Sequence, residues 1–236
     1  MITSRNNEMF KYFKKLKQNK YIKENQEFLV YGEKLIFEAY KAGIVKTLIS
    51  SDESNQEALI ISKDLMKELN IGQTNFDLIA LCSIKEKPMR ETKNILVLED
   101  VQDPDNVGAL LRSALAFGFN HVILSKKSAN IFNEKVIRAS AGASFHLSYE
   151  ILDNIYDRIK TLKKLGYQVY VTDTNGKSDL ENVANKSILV LSNEGNGLSL
   201  QMKQLANEII TIKTNEVESL NVAVAGAILM YEWSKK

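Results

Sequence analysis

Cysteine is almost absent from this chain: there is one, Cys82, in 236 residues. No internal disulfide can form, and inside the apolar run Asp77–Ile84 the thiol reads as a small buried hydrophobe rather than a nucleophile. Histidine is nearly as scarce. His121 and His146 each sit in apolar, strand-like surroundings, which argues against a His/Cys cage, and no metal is expected. No apolar run approaches the roughly 20 residues that span a bilayer, and the Lys-rich N-terminus lacks the apolar centre of a signal peptide. A soluble, cytoplasmic protein with no membrane contact is therefore expected. No Gly-x-Gly-x-x-Gly follows any predicted strand, which disfavours a dinucleotide-dependent enzyme.

What is present is ample material for a core: 44% of residues are hydrophobic and 25% charged, enough for two domains of ordinary size. The formal net charge is only +2, yet residues 1–23 carry seven Lys or Arg against one acid, Glu8. Interleaved with Phe10, Tyr12, Phe13 and Tyr21, that segment suits phosphate contact with base stacking. A solvated basic helix face with its rings packed inward fits equally well.

The chain then reads as alternating elements. Phe28–Tyr31 is a short strand, Gly32 a break, and Leu35, Ile36, Ala39 and Tyr40 recur at helical spacing up to Gly43. Strands at 45–50, 58–62 and 77–84 and a helix at 63–69 complete a small α/β unit. The charged stretch Lys85–Lys93, with Pro88, reads as a linker. Beyond it, strands at 95–99, 121–125, 147–151, 168–172, 187–192 and 208–212 alternate with helices at 107–117, 134–140, 153–165 and 198–205 and a final helix. Continuous Val/Ile/Leu strands alternating with helices predict a parallel sheet covered on both faces, whose ligands bind beyond the carboxyl ends of the strands.

Three polar clusters follow such ends. In the first, Asn106 is a cap candidate, Gly108 permits close backbone approach, and Arg112 lies within an otherwise apolar helix, where its charge needs a partner, a ligand or a route to solvent. The second is Ser192-Asn-Glu-Gly-Asn-Gly197, in which Gly195 and Gly197 allow a left-handed bend and Glu194 adds a negative charge. The third, Ile212 to Asn221, enters the last helix, with Ser219 as its expected N-cap and Val222–Leu229 expected to be buried throughout. The free amides of that helix start either hold a polar ligand or are merely capped by Ser219 and Asn221.

In order and spacing, Asn106-x-Gly-x-x-x-Arg112, Asn193-Glu-Gly-Asn-Gly197 and Ser219-Leu-Asn-Val222 resemble the three motifs of the SpoU (TrmH-like) family of RNA ribose 2′-O-methyltransferases, within the SPOUT superfamily. The similarity extends over residues 94–234, and Arg138-Ala-Ser-Ala-Gly-Ala143 matches a further recurring segment. Residues 1–88 look like the L30e-like, RNA-binding domain often joined to a catalytic domain, here 89–236. The chain departs from the family at Ser192, where Gly is common, and at Ile212-Lys-Thr214, where Ile-Pro-Met is common.

The resemblance implies an α/β protein with a SPOUT-type parallel sheet, a C-terminal trefoil knot, an S-adenosylmethionine site in the knot and a homodimer formed through the catalytic domain. It implies methyl transfer to a ribose 2′-hydroxyl, of ribosomal RNA by preference. A transfer RNA substrate, or a non-catalytic RNA-binding relative, is the alternative. By position, Asn106, Arg112, Glu194, Ser219 and Asn221 are the expected catalytic set. Thr172, Ser192, Gly195, Gly197, Ile212 and Leu220 are expected to hold the cofactor.

Overall fold

The computed structural model describes residues 1–235 apart from Gln73, Glu86, Arg90, Glu91 and residues 178–182 and 194–196, with the backbone alone at Thr174 and Asn175. Among these, two sheets carry the architecture. The chain opens with helices α1 (Glu8–Lys15) and α2 (Asn19–Asn25). Strand β1 (Glu27–Tyr31) and helix α3 (Glu33–Lys41) follow, then β2 (Val45–Ser50), β3 (Ala58–Ile60), α4 (Lys63–Leu69) and β4 (Leu78–Ser83). The first sheet runs β1-β4-β2-β3; β4 is antiparallel to both neighbours, and β2 and β3 are parallel.

The second half comprises β5 (Asn94–Glu99), α5 (Pro104–Ala116), β6 (His121–Ser125), α6 (Glu134–Ala139), a 3-10 turn at Ala143–Phe145, β7 (Ser148–Leu152) and α7 (Ile155–Lys164). It continues through β8 (Gln168–Lys177), β9 (Ser187–Ser192), α8 (Leu200–Leu205) and β10 (Glu208–Ile210) to α9 (Val222–Ser234). Its six strands are parallel, in the order β10-β8-β9-β5-β6-β7. The chain starts in the middle, builds outward to β7, and then crosses to the other side of β5. That reversal between β5 and β9 is the place where such sheets leave a crevice for ligands.

Both faces are covered, as the unbroken apolar strands require. Leu96, Leu98, Leu189 and Leu191 face α5, α6 and α9, while Ile95, Val97, Ile188 and Val190 face α7 and α8. Helix α5 is held close on two sides. A Cβ at Gly108 would lie 2.4 Å from the Ala139 Cβ and 2.9 Å from two α6 backbone atoms, and one at Gly226 would lie 2.3 Å from a Leu110 methyl. No larger residue permits either approach.

The two halves are not separately packed. Phe28, Val30, Ile36 and Ala39 share one core with Phe132, Val136, Ile137 and Phe145, the Phe28 ring standing 4.9 Å from that of Phe132. Linker residues join this junction, since Lys87 Nζ donates to the Phe145 carbonyl. In the basic N-terminal segment the inward-packed reading holds for two rings, because Phe10 and Phe13 are fully buried beside α4. Several of its cations are engaged: Arg5 and Lys14 meet Glu68, and Lys17 donates to the carbonyls of Glu68 and Asn70.

Cys82 is buried, and that burial pushes its thiol up to about 12, which leaves it no reactivity near neutral pH. At the amino ends of β6 and β7, His121 Nδ1 lies 2.8 Å from Ser148 Oγ and its Nε2 lies 3.0 Å from Glu150, which Arg158 grips with two nitrogens. This network occupies the end of the sheet opposite the crevice. No helix among the described residues is long and apolar enough to cross a membrane.

Candidate active site

Beyond the carboxyl ends of β8, β9 and β10 lies a cavity of about 240 Å³. Its walls come from three distant stretches: Thr172 and Asp173; Leu191 to Asn193 with Gly197 and Leu198; and Ile210 to Ile212 with Glu218 to Leu220. Val222, Ala225 and Leu229 of α9 close one side. Thr172, Ser192, Gly197, Ile212 and Leu220, all expected at a cofactor pocket, meet here together with Ser219. Glu194 and Gly195 lie outside the described residues.

The loop after β9 is held in shape from both ends. Gly197 takes a left-handed backbone (φ 62°) and its amide donates to the Asn193 carbonyl at 3.0 Å. Asn193 donates from its backbone to the Glu99 carbonyl and from its side chain to the Asp100 carbonyl, at 3.2 Å each. The Glu99 carboxylate is buried and accepts from Tyr156 Oη at 2.9 Å and from Ser199 Oγ at 2.7 Å. Since Ser199 caps α8, this carboxylate ties the far side of the loop to β5. Asp100 itself adopts φ 56°, an unusual conformation for a residue with a side chain, and is steadied by hydrogen bonds with Ser125.

The helix starts differ from expectation in two places. Helix α5 begins at Pro104, capped by Asp103 rather than Asn106; a proline at the first position and a short acid before it form the stronger start signal. Helix α9 is capped by Asn221, whose Oδ1 accepts from the Ala223 and Val224 amides, and not by Ser219. Asn106, freed from capping, accepts a hydrogen bond from Asn221 Nδ2 at 2.9 Å. The pair joins the starts of α5 and α9 beside Leu220 and Val222, two residues of the cavity wall.

Helix α9 is buried on one face only. Val222, Ala223, Gly226, Leu229, Met230 and Trp233 point inward, while Val224, Ile228 and Tyr231 are exposed, so the expectation of burial throughout is corrected. Arg112 has taken the route to solvent. It is exposed on α5, outside the cavity lining, and has no hydrogen bond or ion pair with the described residues. Of the two departures from the family pattern, Ser192 lines the cavity, whereas Lys213 and Thr214 do not. Thr214 instead donates to the Val217 carbonyl, closing its own loop.

Sequence reasoning assigned no role to Asp173 or Glu218. Asp173 lines the cavity and pairs with Lys203 at 2.6 Å. The available signal was position alone, since each adjoins a motif residue at the end of a strand or the start of a helix.

Comparison with known proteins agrees with this geometry. Residues 93–231 match the SpoU rRNA methylase family. The 23S rRNA (guanosine(2553)-2′-O)-methyltransferase RlmP of Bacillus subtilis is 30% identical, over 98% of this chain and 97% of its own. A solved chain from Porphyromonas gingivalis, assigned to the TrmH family of RNA methyltransferases, is 32% identical and superposes with a TM-score of 0.85 over 99% of this chain and 98% of that one. The fold also matches AviRb from Streptomyces viridochromogenes, a SpoU methyltransferase solved with AdoMet, at 23% identity and a TM-score of 0.85 over 98% of each chain. With residues of the second and third motifs lining one crevice and residues 93–231 matched by the family, the chain belongs to the SpoU rRNA methylase family.

Proposed function

We propose that the chain transfers a methyl group from S-adenosylmethionine to a ribose 2′-hydroxyl of ribosomal RNA of the 23S type. One observation carries the reading: residues far apart in sequence line a single cavity, next to the Asn106–Asn221 pair that joins two helix starts. The Bacillus subtilis relative, similar over nearly the whole of both chains, is named for that reaction.

The cavity suits the donor chemically. Leu191, Leu198, Ile210, Ile212, Leu220 and Leu229 offer apolar walls for an adenine ring, and the loop backbones offer groups for its sugar. Asp173 and Glu218 bring negative charge to a ligand that carries a cationic sulfur and an ammonium group. Bound there, S-adenosylmethionine supplies an activated methyl group.

The chain's own work is to hold the ribose in line, remove the hydroxyl proton and steady the charge that grows on oxygen. A guanidinium keeps its protons, so Arg112 is not a literal base. Exposed and unpaired among the described residues, it is open to grip a substrate phosphate and stabilise the oxyanion, with that phosphate relaying the proton. Asn106, Ser219 and Asn221 position the nucleotide.

The wider assignments belong to the same proposal. Residues 1–88 form an L30e-like RNA-binding domain and 89–236 the catalytic domain, with a C-terminal trefoil knot. The protein acts in the cytoplasm as a homodimer. The exposed apolar stripe Val224, Ile228 and Tyr231, the last ring 5.6 Å from Phe117, supports pairing through α9.

Incubation of deproteinised large-subunit ribosomal RNA with the protein and tritiated S-adenosylmethionine tests the reading. Label at a single ribose is expected. Label only in transfer RNA would replace the substrate, and no label in either RNA would remove the enzymatic assignment.

A further inference from the structure

We infer that the outward face of α3 is a stacking platform for unpaired bases of the RNA substrate. Phe37 is 61% exposed and Tyr40 50%, three residues apart and therefore neighbours on one side of the helix. Exposing two large rings to water is costly unless something covers them. The aliphatic residues of the same helix, Leu35 and Ile36, turn inward, so the apolar content of the exposed face is entirely aromatic.

Composition separates this face from a protein-docking surface. Lys34 and Lys41 are exposed beside the rings, as is Glu33, and Lys41 Nζ, which also meets Glu38 at 2.8 Å, stands 4.5 Å from the Phe37 ring centre. Exposed ring faces with cations on the same helix are the combination by which proteins hold single strands without reading sequence. The exposed stripe of α9 contrasts with it: Val224 and Ile228 are aliphatic, and its one ring, Tyr231, is flanked by Phe117 and by Lys235 Nζ at 4.0 Å. The two faces call for different occupants.

The platform is fixed to the methyl-transfer half. Glu38, on the inner flank of α3, meets His146 Nε2 at 3.1 Å, and a Cβ at Gly142 would lie 3.1 Å from the Glu38 Cβ. The start of α3 also borders a cavity of about 550 Å³ to which Arg138 of α6 contributes, and α6 packs on α5, the helix of Asn106 and Arg112. An RNA strand held on Phe37 and Tyr40 is thereby held in register with the crevice.

This inference rests on the RNA reading above, and its test separates the two. The full-length protein, the double variant Phe37→Ala/Tyr40→Ala and the double variant Phe37→Trp/Tyr40→Trp are titrated against a fluorescent 12-nucleotide oligoadenylate and against a duplex RNA of equal length. Both substituted positions are exposed, so folding is undisturbed, as circular dichroism verifies. The alanine variant is expected to bind the single strand at least about tenfold more weakly, with duplex binding unchanged. The tryptophan variant is expected to retain affinity and to lose indole emission as the strand binds. In methyl transfer to deproteinised large-subunit ribosomal RNA, the alanine variant should raise KM and leave kcat unchanged.

Failure of wild-type protein to methylate any RNA would remove the functional reading itself. Active wild-type protein with equal oligoadenylate affinity in all three forms, or with no affinity for it at all, would overturn the platform alone. A change in sedimenting mass in the alanine variant without a change in RNA affinity would overturn it too, by marking the face as a contact between proteins.

Discussion

Arg112 keeps its guanidinium in solvent, six residues and about 9 Å of helix beyond Asn106. The role proposed for Arg112, in the reaction and not in cofactor binding, makes one clear prediction. Arg112→Ala should lower kcat for methyl transfer on the order of 100-fold or more, while calorimetry finds cofactor affinity within about twofold of wild type. Arg112→Lys should recover little, because a point charge does not reproduce the two-pronged grip on phosphate. Gly108 makes a different kind of prediction, about stability. Its added methyl group in Gly108→Ala would press on α6 backbone atoms that have nowhere to move, and urea unfolding should show a loss of about 3 kcal/mol. The sequence made Gly108 legible as a site of close approach but not which partner approaches, since that is set by α6, some thirty residues later. Arg112 was legible as an anomaly in an apolar helix, and only the packing of α5 between α6 and α9 decides that its flank faces water.

Most strand positions were readable to within about two residues, because a run such as Ile95–Leu98, buried on both faces, has no polar position to confuse its limits, although β8 runs on to Lys177 beyond the expected 168–172. Helix starts were harder to read. Asn106 and Ser219 are good caps by residue type, but Asp103 with Pro104, and Asn221, hold the positions where the backbone turns. Tyr40 shows the same weakness, since helical spacing brought it into the inward group while the fold leaves its ring exposed. Among side-chain networks that join elements, that of Glu150 is the most consequential for pH. Its carboxyl is held at about 2, first by the hydrogen bond with His121 and then by the Arg158 guanidinium, against an ordinary 4.5. A value depressed on folding means stability that is fully present above about pH 4.5 and drains away as the pH falls towards 2. Unfolding free energies at pH 6 and pH 3 should therefore differ less in Glu150→Gln than in wild type, by about 1 to 2 kcal/mol once partial exposure is allowed for.

At the level of the whole molecule, the charged stretch after residue 84 reads as a linker between two domains, and the first sheet and the helical layer of the second share one apolar core. Composition cannot reveal such sharing, because Phe132 and Phe145 look like core residues whichever partner they meet. Deleting residues 1–88 would uncover both rings together with Ile137, so the isolated second half is expected to aggregate or to melt well below the intact chain. Sedimentation and thermal circular dichroism measure this directly, and a monodisperse fragment with the melting temperature of the full protein would show that the junction contributes little.

The wall formed by Val222, Ala225 and Leu229 has a consequence for folding. It belongs to a helix that follows all six strands of the second sheet along the chain, so the sheet can form before that side of the crevice exists. Ligand capture then waits on the docking of α9, and an intermediate in which this helix is detached is unable to hold the small molecule on which activity depends.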